Sequence, residues 1–399
     1  MKIDSGTLQA RAKDIENELR KNGLHALVLY ANGSVLGNQS RMHGYMRYFC
    51  DFDGRNFPAV FILRPGAPAA LITGNPNARN NRAAESEKDL WVKDVRHVPA
   101  QTLGDEIVKV LGANEAGKGR VAYLGYNETL APVWKSLEKG LPNVEWEHDF
   151  GARIDTRRVQ KSALELAMHR RAAEICDAMF ATLAREVRSG KPGYHLQAGM
   201  ERTAREEGCE YCQTWLTVSP RGDFCRFYKE ECERTPQEGD QVLAGIYITF
   251  EGHWGHAVRM GNMGEPSQEH RLIYDRVREM VEAALGKLRP GGNLYDVNTA
   301  MTQVWQKYYK PDEIRRSRAG HGLGYSYEDP IVSLAFPYAW NVKGEPAREP
   351  IEIKPGMLME LHPQIWVPDL GGAMIGEMVA VTETGYEVLT KYPRDLQIW

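Results

Sequence analysis

The sequence lacks an excess of charge of either sign. Its 399 residues include 50 Lys and Arg against 53 Asp and Glu, a formal net charge of −3 with the histidines neutral. Proteins that bind nucleic acid or an anionic membrane surface carry a basic patch, so this balance argues against both partners. Long apolar runs are missing too, since no stretch reaches the ~20 residues that a membrane span needs.

Cysteine is scarce as well, with six in the whole chain. Disulfide-stapled secreted domains are far richer in it, and residues 1–19 contain charges where a signal peptide requires an apolar run. Both features favour a reducing, cytoplasmic setting. The spacing of four of the cysteines is too irregular for a zinc ribbon and favours free buried thiols; they are Cys209, Cys212, Cys225 and Cys232.

The remaining composition, 42% hydrophobic and 26% charged, is that of an ordinary globular protein. The length exceeds what one core usually supports, so two domains are expected. An amphipathic helix over 7–22 and buried strands such as 58–63 predict a small α/β domain. Apolar residues at helical spacing over 161–188 and a strand-rich C-terminal part predict a second domain. We place the domains at 1–155 and 156–399.

Four segments of the second half together resemble a known pattern. They are Gln160–Glu165 opening a helix, Gly239–Leu243 opening a strand, Gly320–Gly324, and the stretch from Lys354 to Glu383. In order and spacing they resemble the pita-bread domain of the creatinase, Xaa-Pro peptidase and methionine aminopeptidase superfamily. The first half resembles the smaller domain of the creatinase and prolidase branch. The resemblance implies an α/β fold with a curved antiparallel sheet covered by helices, a small-molecule substrate and a homodimer.

The resemblance also implies a metal site, because catalytic members hold two adjacent ions with two Asp, one His and two Glu. Matched motif by motif, those positions carry Gly245, His256, His321, His362 and Gly376. Both glycines replace ligands of one ion, and all three histidines fall on ligands of the other. This orderly replacement predicts that the two-ion site is lost and that one ion remains on the histidines.

Three imidazoles around one divalent transition ion (Fe, Zn or Mn) leave positions open for water, substrate or dioxygen. Two carboxylates are candidate catalytic residues beside the ion. Glu360 shares a strand face with His362, because residues two apart on a strand point the same way. Glu377 directly follows Gly376. Each is a candidate for a fourth ligand, for an outer partner (a group that hydrogen-bonds to a ligand and not to the ion) or for a general base.

Five further residues are candidates near the substrate. Tyr228 falls where the family has an upstream His and is a proton or hydrogen-bond donor or a packed aromatic. Tyr327 falls where the family has a second His after Gly320–Gly324 and is a substrate contact or a packed aromatic. Arg259 contacts substrate or forms a structural ion pair. His253 is a companion of the nearby ligand histidine, and Arg47 is a carboxylate clamp for the neighbouring subunit or a domain-bridging residue.

The leading functional hypothesis is hydrolysis of a C–N bond in a small, polar, amino-acid-like molecule, with water activated by the single ion. The same centre suits a lyase, as in relatives that cleave dimethylsulfoniopropionate, or a dioxygen-activating enzyme. A metal-free route like that of creatinase, with the histidines and Glu377 as acids and bases, is the main rival. A non-catalytic binding protein ranks last. Ordinary Xaa-Pro peptidase activity is not expected, because it relies on the two-ion carboxylate site.

Overall fold

The computed structural model describes residues 2–33, 40–54, 56–74, 90–112, 118–220, 233–314, 320–327 and 350–399. Tyr228, Cys225 and Cys232 lie outside these ranges. The chain divides into two compact units. The first ends at Arg158 and also includes the segment that begins at Tyr325, and the second begins at Val159. The sequence-based boundary, 155/156, lies three residues before this division. No helix among the described residues is long and apolar enough to cross a membrane.

The first unit is a mixed six-stranded sheet with helices. The strands are β1 Leu24–Ala31, β2 Ala59–Leu63, β3 Ala70–Thr73, β4 Asp94–His97, β5 Arg120–Leu124 and β6 Glu145–Glu147, in the order β4-β3-β2-β1-β5-β6. The helices are α1 Ser5–Lys21, α2 Ser40–Cys50, α3 Leu103–Gly112, α4 Ala131–Gly140 and α5 Gly151–Arg158. Strands β2 and β3 bury every residue, which explains why they read as continuous apolar runs.

The second unit combines four helices with three sheets among the described residues. The helices are α6 Ala163–Glu186, α7 Gly193–Glu206, α8 Gln268–Leu285 and α9 Leu294–Gln306. The strands are β7 Tyr211–Ser219, β8 Gln241–Phe250, β9 His253–Asn262, β10 Gly320–Gly322, β11 Leu358–Leu361, β12 Gln364–Val367, β13 Gly371–Met374, β14 Glu377–Val381, β15 Tyr386–Val388 and β16 Gln397–Ile398. They form the sheets β16-β9-β8-β7, β10-β11-β14-β15 and β12-β13.

The β7-β8-β9 ribbon has one apolar and one functional face. Alternate residues of β8 and β9, including Ile246 and Ala257, pack into a core with α6 and α7. Because neighbouring strand residues point to opposite faces, Gly245, Tyr247 and His256 lie on the other side. In the antiparallel register Tyr247 is directly opposite His256. The functional face therefore follows from the same alternation that builds the core.

A short bridge joins this sheet to the one that contains β10 and β11. The Val258 N–H donates to the Gly376 carbonyl at 3.3 Å, and the Gly376 N–H donates back at 3.0 Å. Gly376 directly precedes β14, which pairs with β11. The bridge thus brings the functional face of β9 beside the strand that contains Glu360.

His270 is expected to make the protein sensitive to acid. Its side chain is buried and Nε2 donates to the Gly372 carbonyl at 3.2 Å. Burial lowers the pKa of His270 to about 4, a shift that this hydrogen bond partly opposes. Because the folded pKa lies below the unfolded value, the contribution of His270 to the free energy of unfolding is complete above about pH 6.5 and is lost as the pH falls towards 4. The loss is about 2–3 kcal/mol at pH 4.5.

Urea unfolding at pH 7.5 and pH 4.5 measures this effect. His270→Gln retains a donor for Gly372 but cannot titrate, so its free energy of unfolding is expected to fall less on acidification than that of the wild type. Equal falls in the two proteins would show that His270 does not control acid stability.

Candidate metal centre

Three histidines and one glutamate converge in the second unit. His256 comes from β9, His321 from β10 and Glu360 from β11, and His362 directly follows β11. All four residues are at most 4% exposed. One donor atom from each lies within 4.8 Å of the others. The fold therefore gathers four metal-ligating groups from three separate parts of the chain into one buried cluster.

The shared point of the cluster is one carboxylate oxygen. Glu360 Oε2 lies 3.1 Å from His256 Nε2, and 3.3 Å from the Nε2 atoms of both His321 and His362. Donor atoms bound to one ion at about 2.0–2.2 Å are roughly 2.9–3.5 Å apart in octahedral or tetrahedral arrangements. The three Glu360–histidine distances fall within this range.

Backbone carbonyls assign the protons of two of the rings. His256 Nδ1 lies 2.8 Å from the Ile246 carbonyl, and His321 Nδ1 lies 2.9 Å from the Gly322 carbonyl. A carbonyl only accepts, so Nδ1 holds a proton, and in the neutral form of each ring the Nε2 lone pair points towards Glu360. Lone pairs and a carboxylate repel each other unless a cation lies among them. The donor set thus fits a divalent transition ion, with the carbonyls orienting the ligand rings.

Two glycines beside the cluster have no room for a side chain. A Cβ at Gly376 would lie 2.6 Å from Glu360 Oε1 and 2.6 Å from the backbone nitrogen of Val258. A Cβ at Gly245 would overlap the indole ring of Trp215, the residue opposite it on β7. At both positions, where the resemblance places carboxylate ligands of a second ion, neighbouring side chains take the space.

Glu377 lies outside the cluster although it is next to Gly376. Its Oε2 accepts from Arg259 at 3.0 Å and from Thr390, and its Oε1 accepts from Arg394 at 2.7 Å. Arg259 also donates to the Gly376 carbonyl at 2.6 Å. Consecutive strand residues face opposite ways, which explains why Glu377 joins a buried ion-pair network instead of the histidines. For Arg259, this is the structural ion pair that the sequence left open as the alternative to a substrate contact.

His253 lies on the opposite face of β9 from His256, because the two are three positions apart on the strand. Its ring is 5.1 Å from that of His169 on α6, and its Nδ1 lies 2.7 Å from the Glu251 carbonyl. Burial, and next the neighbouring His253, lower the pKa of His169 well below its ordinary value. The structure therefore does not bring His253 to the cluster as a substrate-binding residue.

Two further sequence-based candidates, Arg47 and Tyr327, belong to the first unit. Arg47 is buried on α2 in the first unit, where it pairs with Asp51 at 3.0 Å. Tyr327 is buried and groups with the first unit. Cys209 and Cys212 are free thiols, and burial raises the pKa of each to about 12.

The structure adds two aromatic residues that the sequence analysis did not identify. The Tyr247 ring stacks on His256, with centroids 4.3 Å apart and planes at 23°. The Trp215 ring lies 6.4 Å from Tyr247 and covers Gly245. Alternation along β8 places Tyr247 on the face of Gly245, but the position of Trp215 depends on the β7–β8 register.

Comparisons with known proteins agree with this architecture. Residues 167–383 match the model of metallopeptidase family M24. An uncharacterized hydrolase/peptidase of Sinorhizobium fredii is 29% identical over 97% of this chain and 95% of its own. The Xaa-Pro dipeptidase of Pyrococcus furiosus is 25% identical over 73% of this chain and 78% of its own. The prolidase structure from Thermococcus sibiricus superposes with a TM-score of 0.80 at 20% identity and covers 100% of both chains.

The fold is that of the pita-bread hydrolases, as the sequence analysis predicted. Because the family match spans more than half of the residues, the chain belongs to metallopeptidase family M24. It is a peptidase-like hydrolase with a buried His/Glu cluster that could hold a metal ion. The predicted membership of the creatinase and prolidase superfamily is thereby confirmed.

Proposed function

We propose that the protein is a single-ion hydrolase that cleaves a C–N bond in a small, polar, amino-acid-like substrate. The observation that supports it is the convergence of three imidazoles on Glu360 Oε2. His256, His321 and His362 would hold one divalent transition ion, either Fe, Zn or Mn. Such an ion, when bound, polarises a substrate carbonyl and lowers the pKa of water.

Two close contacts support one ion instead of two. Trp215 and Glu360 occupy the space beside Gly245 and Gly376, and the two glycines offer no donor side chains. A second ion would therefore have neither the carboxylates nor the room that it needs. Ordinary Xaa-Pro peptidase chemistry, which the resemblance links to two ions, is for this reason not part of the proposal.

The chain's own residues prepare the site for the reaction. The carbonyls of Ile246 and Gly322 fix the orientation of the His256 and His321 rings, and Tyr247 supports the His256 ring from one side. Burial of the cluster excludes bulk water, which strengthens the interaction of these groups with charge that develops on a substrate. Glu360 supplies the negative charge that a dication among neutral imidazoles requires.

The predominance of imidazole donors favours a second candidate function. Neutral nitrogen ligands suit Fe(II) or Cu in dioxygen activation, and also a Lewis-acid lyase. Measuring turnover under nitrogen distinguishes an oxygenase from a hydrolase or a lyase. A hydrolase or lyase is expected to work equally well without oxygen, and incorporation of ¹⁸O from labelled water then identifies hydrolysis.

Metal analysis of protein purified without chelators tests the single-ion proposal. We expect one transition ion per chain in the wild type and His321→Ala to lose it. His270→Gln removes a buried histidine away from the cluster and is expected to retain the ion. Two ions per chain, or none in active wild type, would contradict the proposal.

A further inference from the structure

We infer that Glu360 is a direct metal ligand and that the centre is a three-histidine, one-glutamate site for an ion with five or six coordination positions. The inference rests on the proposed single-ion function and deepens it. It decides between the three roles that the sequence left open for Glu360, which were ligand, outer partner and general base.

The distances separate a ligand from a general base. A carboxylate that activates a water molecule beside an ion needs a gap for that water, because each hydrogen bond to it spans about 2.7 Å. Glu360 Oε2 lies only 3.1 to 3.3 Å from all three Nε2 atoms. This spacing leaves no room for an intervening water, so the oxygen belongs to the same coordination sphere as the imidazoles.

The distances also exclude the role of an outer partner. An outer partner accepts from the ring nitrogen that faces away from the ion. In His256 and His321 that nitrogen is Nδ1, and the carbonyls of Ile246 and Gly322 already accept from it. Glu360 faces the opposite nitrogen of each ring, which is the one available to a metal.

Gly376 explains how the carboxylate reaches this position. Glu360 Oε1 lies 2.6 Å from the point where a Cβ of residue 376 would be, and a Val258 methyl lies 2.8 Å from the same point. The Glu360 carboxylate thus uses space that any side chain at 376 would fill. Because Gly376 has no side chain, the Glu360 carboxylate from β11 can occupy this space.

The guanidinium of Arg259, a nearby cation, is bound by other groups. Arg259 is at the same strand junction, but its guanidinium donates to Glu377 and to the Gly376 and Tyr392 carbonyls. Glu360 is 0% exposed, and a buried carboxylate is costly unless a cation or strong hydrogen bonds compensate it. A metal ion at the histidine nitrogens supplies that compensation.

Four protein ligands restrict the choice of ion. Zinc with four protein ligands is usually tetrahedral and closed, whereas a catalytic zinc keeps a position for water or substrate. With His256, His321, His362 and Glu360 all bound, substrate can reach the ion only at a fifth or sixth position. Fe(II) and Mn(II) accept such coordination readily, so we expect these ions to support activity better than Zn.

Titration of metal-free protein with Co(II), followed by visible absorption, tests the inference without a substrate. Tetrahedral Co(II) absorbs strongly, and five- or six-coordinate Co(II) absorbs weakly. We expect one Co(II) per chain with weak bands. Glu360→Ala is expected to bind Co(II) at least about 100-fold more weakly, since even outer partners of a ligand contribute 10- to 100-fold, and to give a different spectrum.

Two further variants complete the experiment. Glu383→Ala removes an exposed carboxylate after β14 and is expected to leave the spectrum unchanged. Glu360→Gln keeps the side-chain shape and replaces Glu360→Ala if alanine prevents folding. An intense tetrahedral spectrum that Glu360 variants do not alter overturns the inference while leaving the single-ion proposal intact. No Co(II) uptake, or two Co(II) per chain, contradicts the single-ion proposal itself.

Discussion

His256→Ala is expected to weaken metal binding at least about 1000-fold, because it deletes a ligand outright and even outer partners contribute 10- to 100-fold. His256 Nε2 faces Glu360 Oε2 at 3.1 Å, and Tyr247 and the Ile246 carbonyl hold the ring. These contacts fix the ring before an ion arrives. Alanine removes both the donor and that preorganisation, and turnover is expected to fall in the same proportion.

His253→Ala is a matched control on the same strand. Both histidines are 1% exposed, but the His253 ring packs against His169 instead of the cluster. Competition with a chromophoric chelator measures the affinity, and thermal unfolding of the metal-free proteins measures folding. We expect the two alanine variants to lose similar stability without metal but only His256→Ala to lose the ion. Equal metal loss in both would show that the cluster is not the binding site.

Gly245→Asp is expected to lower the free energy of unfolding by about 4 kcal/mol or more, although it restores the residue type that the family has there. The new Cβ would overlap the Trp215 indole, and overpacking of a core alone costs about 1–3 kcal/mol. The carboxylate would be buried in addition, with a further penalty of several kcal/mol unless a cation compensates it. Urea unfolding of the metal-free protein measures the loss.

Gly385→Asp is the control for this substitution, because a Cβ at Gly385 meets no atom within 4 Å. A change within about 0.5 kcal/mol is expected there. In a Trp215→Ala background, Gly245→Asp is expected to cost at least about 1 kcal/mol less than in the wild type, since the overlap is gone. A cost that is the same in both backgrounds would exclude Trp215 as the residue that fills this space.

Most regular elements were predictable from local patterns. The helix expected over 7–22 is Ser5–Lys21, the strand expected over 58–63 is Ala59–Leu63, and the helical pattern over 161–188 is Ala163–Glu186. Periodicity identifies such elements because one face of each is buried, and caps define their ends. Asp4, for example, accepts the Thr7 N–H at the start of α1.

Side-chain partners were harder to predict, because they depend on pairings between distant strands. Glu360 and Glu377 were both candidates for the centre, and strand alternation favoured Glu360 because it shares a face with His362. In the structure, Glu377 pairs with Arg259 instead. Trp215 reaches Gly245 only through the β7–β8 register, which a shift of one residue would have reversed. His253 was a candidate because it is close to His256 in sequence. The two are three positions apart on a strand, so their side chains point to opposite faces.

The sequence by itself determined the α/β fold class and the superfamily, and it predicted two domains and three histidine ligands. The elements follow from periodicity, and the superfamily and the histidine positions follow from the order of motifs that carry the resemblance; both are properties of the linear chain. The tertiary structure alone decided that Glu360 Oε2 is the meeting point of the three imidazoles, and that Trp215 and Glu360 fill the space beside the two glycines. The reason is that strand register and backbone bridges such as Val258–Gly376 set which side chains approach within a few ångströms, and no local pattern encodes that distance.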